Sequence, residues 1–163
     1  MSFSNLTEDL RHSIGEWEKK LLNLDEKVFS SIANQQGRTI KQIIGHLIDS
    51  ASNNHQRIVR MQETSDLGTF RYAQDHWVKV QQYQVEPWID LVELWFAYNL
   101  HLAHIIRNVD PAAMEHVCDV GYPKPVTLRY LLDDYVDHLE HHLKQILSDG
   151  DPKERRPRAK REL

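Results

Sequence analysis

The sequence predicts an all-α fold, a four-helix bundle, on three observations. Four long stretches carry apolar residues every three or four positions, the spacing that lines one side of an α-helix. Turn-forming clusters separate those stretches. Six glycines and six prolines in 163 residues are too few for a loop-rich all-β chain. Four helices with one apolar stripe each bury those stripes best against one another. At 40% hydrophobic and 27% charged residues, the chain is also long enough to bury a real core as a single domain.

The first stripe is Leu6, Leu10, Ile14, Trp17, Leu21 and Leu24, with Ser4 or Thr7 available to cap its start and an end near Asn23. Residues 25–38 have no clean period and close on Asn34-Gln35-Gln36-Gly37, so they read as a connection with one short helical turn. Thr39-Ile40-Lys41-Gln42 matches a capping box, in which hydroxyl and amide side chains satisfy free backbone N–H groups. A second helix follows to about Gln62, its stripe formed by Ile40, Ile43, Ile44, Leu47, Ala51, Ile58 and Met61.

Residues 64–86 are longer than most connections in a small domain. Phe70, Tyr72, Trp77 and Tyr83 argue that they pack, with a short helix around 75–82, and wall or cover a pocket. Pro87 suits the first position of a third helix, with Leu91, Leu94, Trp95, Tyr98, Leu102, Ile105 and Val109 in phase. Pro111 and Gly121-Tyr122-Pro123-Lys124-Pro125 break the pattern, Thr127 caps the last helix, and Ser148 precedes its stop.

The domain is thus expected over residues 1–150, and 151–163 as a basic, disordered tail. The tail sets six basic residues against Glu154, so the body is five charges more acidic than the net of −4. It lacks the interleaved aromatics of a nucleic-acid binder and reads as a solvated tail, without a membrane or nucleic-acid partner. Cys118 alone makes no internal disulfide and reads as a small buried hydrophobe. With no export or membrane-spanning stretch, a reducing, cytoplasmic compartment is expected.

Chemistry concentrates in the last helix, where Leu128, Leu132, Tyr135, Leu139, Leu143 and Ile146 form the stripe. At about 100° per residue, His142 falls about 60° and His138 about 100° to the same side of Leu139, whereas His141 points almost away. Side chains four apart are neighbours, roughly 5–6 Å between Cβ atoms, close enough for two imidazoles to share a cation. Pairs at this spacing also occur as ordinary boundary residues, so a third ligand decides.

On helix two, His46 lies about 100° from Leu47, with Ser50, Asn53 and Arg57 on the same polar edge, and His55 on the other. His46 meets the His138/His142 pair if helices two and four are neighbours. His101 on helix three suits a site or a boundary role equally, and His104 reads as surface.

Gly45-His46-Leu47-Ile48-Asp49-Ser50-Ala51, followed far downstream by Asp134-Tyr135-Val136-Asp137-His138-Leu139-Glu140-His141-His142-Leu143-Lys144-Gln145-Ile146, resembles the DinB/YfiT superfamily over roughly residues 6–147. The resemblance implies a bundle of up-down-down-up order that brings helices two and four together. It also implies a divalent metal held by three histidines, matching His46, His138 and His142. Three imidazoles with open positions suit Zn²⁺ first and Ni²⁺ next.

Superfamily members include thiol-dependent S-transferases and isomerases, so the resemblance implies a metal-dependent enzyme acting on a small molecule. Its partner is a low-molecular-weight thiol in a transfer, or water in a hydrolysis. The competing reading is a non-catalytic stress-response module with a structural metal. Homodimers are common among such proteins. Asp49 is placed either to orient a ligand or as an exposed helix carboxylate. Gln145, Asn53 and His101 are candidate pocket residues, with Tyr72 or Asp75 reaching in from the long connection.

Overall fold

A computed structural model describes residues 3–31 and 37–148. The basic tail and the 34–36 part of the polar cluster lie outside the described residues. Among the described residues six α-helices form: α1 (Phe3–Leu22), α2 (Glu26–Phe29), α3 (Ile40–Arg60), α4 (Gln74–Gln81), α5 (Trp88–Arg107) and α6 (Leu128–Ser148). The four long ones, α1, α3, α5 and α6, make the bundle. Among the described residues no helix is long and apolar enough to cross a membrane.

In α1, Leu10, Ile14, Trp17 and Leu21 are buried as the stripe requires. The helix already runs from Phe3, so Ser4 and Thr7 lie inside it rather than capping it. α1 packs on α5, and the indole of Trp88 donates to the Leu21 carbonyl at 3.0 Å where the two meet. The short turn expected in 25–38 is α2, whose Phe29 stacks on Trp88 with ring centroids 4.7 Å apart.

The capping box of α3 forms: Gln42 N donates to Thr39 Oγ1 at 3.3 Å and Thr39 N to Gln42 Oε1 at 2.9 Å. Two orphan donors are thereby satisfied at the start of the most enclosed helix. α3 packs on α5, α6 and α4, and from Ile40 to Ala51 every residue but Gln42 is buried. Its polar edge is inside too, because α6 covers it.

In α5 the buried face is rotated from the predicted stripe. Val92, Asn99, Ala103 and Ile106 are inside, while Leu94 is 46% exposed and Ile105 only partly covered. Asn99 causes the misreading: it is a polar side chain at the centre of the true face, held by donation to the Trp95 carbonyl at 2.7 Å and by the Tyr135 hydroxyl of α6 at 2.5 Å. Pro87 stands just before α5, at the capping position rather than the first helical one. Thr127 caps α6 as read, Oγ1 accepting from Tyr130 N at 3.2 Å.

Three short strands were not foreseen. β1 (Asp66–Thr69), β2 (Val117–Asp119) and β3 (Val126–Thr127) form a sheet in that order, β1 parallel to β2 and β2 antiparallel to β3. Strands of two to four residues carry no readable alternation, and β1 pairs with a strand some fifty positions away in sequence. The sheet fastens the 64–86 segment to the approach to α6, with Phe70 N donating to the Asp119 carbonyl at 2.9 Å and Arg71 paired with Asp119. Cys118 of β2 is fully buried, and burial pushes its thiol pKa up, as an inert hydrophobe requires.

Candidate metal centre

α3 delivers one histidine and α6 two to a common point. His46 is 1% exposed, His142 7%, and His138 is half-buried. The ring centroids lie 5.3 Å apart for His46 and His138, 5.0 Å for His46 and His142, and 4.5 Å for His138 and His142, all edge to face. One ring nitrogen from each falls within 4.8 Å of the others. Nε2 of His138 and Nε2 of His46 are 3.2 Å apart, close to the roughly 3.3 Å that a tetrahedral ion with Zn–N bonds of about 2.0–2.1 Å sets between two of its ligands.

Burial first, then the neighbouring His138 and His142, drive the His46 pKa down to about 2, so its imidazole is neutral, as metal ligation demands. Its Nδ1 is buried without a hydrogen-bond partner among the described residues. Nε2 of His46, the nitrogen 3.2 Å from His138 Nε2, is the one placed to share a cation with the other two rings. The group has three members among the described residues, which leaves any ion they hold with open positions.

Gln145 fixes the second ligand of the pair. Its Oε1 sits 3.1 Å from His142 Nδ1 and its Nε2 2.9 Å from His141 Nε2. Donation from Nδ1 to the amide oxygen leaves His142 Nε2 as the ring's ligand atom. His141, turned away from the core as its wheel position requires, is thus the outer end of a His142–Gln145–His141 chain.

Asp49 is not an exposed carboxylate, and among the described residues its hydrogen-bond partners are not histidines. It is 1% exposed, and its Oδ1 accepts from Gln81 Nε2 and Tyr83 Oη, each at 2.6 Å. Burial raises its pKa, while the two hydrogen bonds oppose the rise. Tyr83, from a 3-10 turn over Tyr83–Val85 after α4, reaches Asp49 only because residue 45 is glycine: a Cβ there would sit 2.0 Å from Tyr83 Cδ2. So the Gly45-His46 pair has two tasks, one residue admitting the ring that pins α3 and the next carrying a centre imidazole. Helical periodicity could not find Tyr83, because its partners lie 34 to 38 positions away on another element.

The remaining candidates separate. A cavity of about 110 Å³ between α3 and α6 is lined by His138 and by Ser50, Asn54, Arg57, Tyr72 and Asp134, among others. Tyr72 therefore does reach in from the long connection. Asp75 pairs instead with Arg38 and borders a different groove. Asn53 donates to the Asp49 carbonyl at 2.9 Å and faces a groove with Phe70 and Trp77. His101 is exposed on α5, edge to face with His55 at 5.2 Å, because the true buried face of α5 is turned away from it. Arg57 and Asn54 entered no sequence-derived site, although Arg57 lay on the polar edge already drawn through His46.

Comparison with known proteins agrees with this architecture. The family model of the DinB superfamily matches residues 4–146. The fold is similar to that of YfiT from Bacillus subtilis, described as a probable metal-dependent hydrolase with an unusual four-helix bundle topology. The two share a TM-score of 0.80 at 17% identity, over 91% of this chain and 86% of that one. No curated protein matches the sequence. The match spans all four bundle helices and both histidine segments, and the chain belongs to the DinB superfamily.

Proposed function

We propose that this protein is a divalent-metal-dependent enzyme acting on a small molecule, with His46, His138 and His142 as its metal ligands. One observation carries the reading: three imidazole nitrogens from two helices converge within 4.8 Å, next to a cavity that His138 also lines. An ion in such a setting acidifies a water or thiol that binds it, which supplies a nucleophile at neutral pH. The chain's own part is to hold the ion through three neutral rings, to fix His142 through Gln145, and to present a walled space to the reactant.

The reaction is a hydrolysis or a transfer to a low-molecular-weight thiol, and the description of YfiT as a probable metal-dependent hydrolase favours the first. Zn²⁺ suits the ligand set best and Ni²⁺ next. A purely structural metal fits less well, since structural zinc sites fill all four positions with protein. Metal analysis of tag-free protein tests the proposal: about one ion per chain is expected, with loss in His138→Ala. Native protein that retains no near-stoichiometric metal would remove its basis.

A further inference from the structure

Arg57 is 6% exposed, yet among the described residues no carboxylate stands within ion-pair range of it. Its Nε and Nη2 both donate to the Phe70 carbonyl, at 3.2 and 2.7 Å, and Nη1 donates to Asn54 Oδ1 at 3.3 Å. A guanidinium has five N–H donors, so one on each terminal nitrogen is left over. Phe70 is itself fixed by its hydrogen bond to Asp119, so the small sheet holds the guanidinium in place. A buried cation kept rigid, with two spare donors and only the non-contacting Asp134 carboxylate acting on it from the same cavity, is costly unless an anion completes it.

The cavity tells where that anion would sit. Arg57 and His138 line the same space, which follows α6 from Leu131 to His138, about 10 Å of helix axis. Its volume of about 110 Å³ is the room of three or four waters, enough for a small head group and a short stem. Asp134 lines it too, with Tyr122 Oη donating to its Oδ2 at 3.3 Å. That second carboxylate disfavours a doubly charged phosphate and leaves a single planar carboxylate as the guest that matches the fork of an arginine.

We propose that Arg57 anchors a carboxylate of the substrate, so that the enzyme acts on small carboxylic acids whose reactive end lies at the three-histidine centre. This deepens the function proposed above and rests on it. Arg57 is a binding residue here, and its partner Asn54 sets the direction of the fork.

Simple thiols are suitable probes, because thiolate ligates divalent ions of this kind. Zinc-loaded protein is titrated calorimetrically with mercaptoalkanoates of increasing chain length and with the mercaptoalcohols of equal length. At one length the acid should bind at least about tenfold tighter than the alcohol, and Arg57→Gln should erase that preference while zinc stoichiometry stays unchanged. The acid-versus-alcohol comparison is made in the unaltered protein, so it stands even where Arg57→Gln does not fold. Equal affinities at every length in zinc-loaded protein overturn the anchor alone; protein that takes up no zinc overturns the metal centre and the anchor together.

Discussion

Two groups of three histidines occupy the described part of this bundle, and only one of them converges. His46, His138 and His142 project from α3 and α6 into the interior, their ligand nitrogens within 4.8 Å of one another. His55, His101 and His104 sit on α3 and α5, with His101 and His104 exposed and their ring centroids 6.4 Å apart. Among the described residues the second group does not converge as the first does. Histidine content and i, i+3 or i, i+4 spacing are alike in both; burial and the facing of two helices make the difference. Desolvation keeps His46 neutral, whereas exposed rings in water gain nothing by crowding.

Substitutions can break that contrast. The largest effect is expected from His138→Ala, which should abolish stoichiometric metal retention, while His101→Ala should leave it intact and shift stability by no more than about 0.5 kcal/mol. Metal analysis and thermal unfolding of the two variants side by side decide it. Equal metal loss in both would dissolve the distinction.

Gly45→Ala comes next, because the added methyl group would meet the Tyr83 ring at 2.0 Å. Forcing an atom into a packed core costs about 1–3 kcal/mol, so a lowered unfolding midpoint is expected; an unchanged midpoint would mean that the ring moves aside freely. Gln145→Leu removes the acceptor that orients His142 and should weaken metal affinity about 10–100-fold, read by chelator competition, with little change in the fold. The smallest loss is expected from Tyr83→Phe, about 1–2 kcal/mol from one hydrogen bond to the buried Asp49 carboxylate, measured by denaturant unfolding.

The same contrast explains what could be read in advance. His138 and His142 were legible because both lie on one edge of a strongly periodic helix, and the capping box at Thr39 located α3 and, with it, His46. Asp49 was not legible: its state depends on Tyr83 and Gln81, which come from a different element. His101 was misjudged for a local reason. Asn99 lies at the heart of the α5 face, and a polar residue there shifts the apparent stripe towards Leu94, which solvent reaches. The three-stranded sheet left no trace that periodicity can detect, since each strand is shorter than one readable repeat.

The sequence alone determined the four long helices, the caps at Thr39 and Thr127, and the edge on which each centre histidine lies, because those features depend on neighbours within one or two turns. Tertiary structure alone decided that the polar edge of α3 faces α6, that Tyr83 lies over Gly45, and that Arg57 lines the same cavity as His138. Those outcomes depend on helix pairing and on strands distant in the chain, and contacts between distant segments are set by packing, not by local pattern.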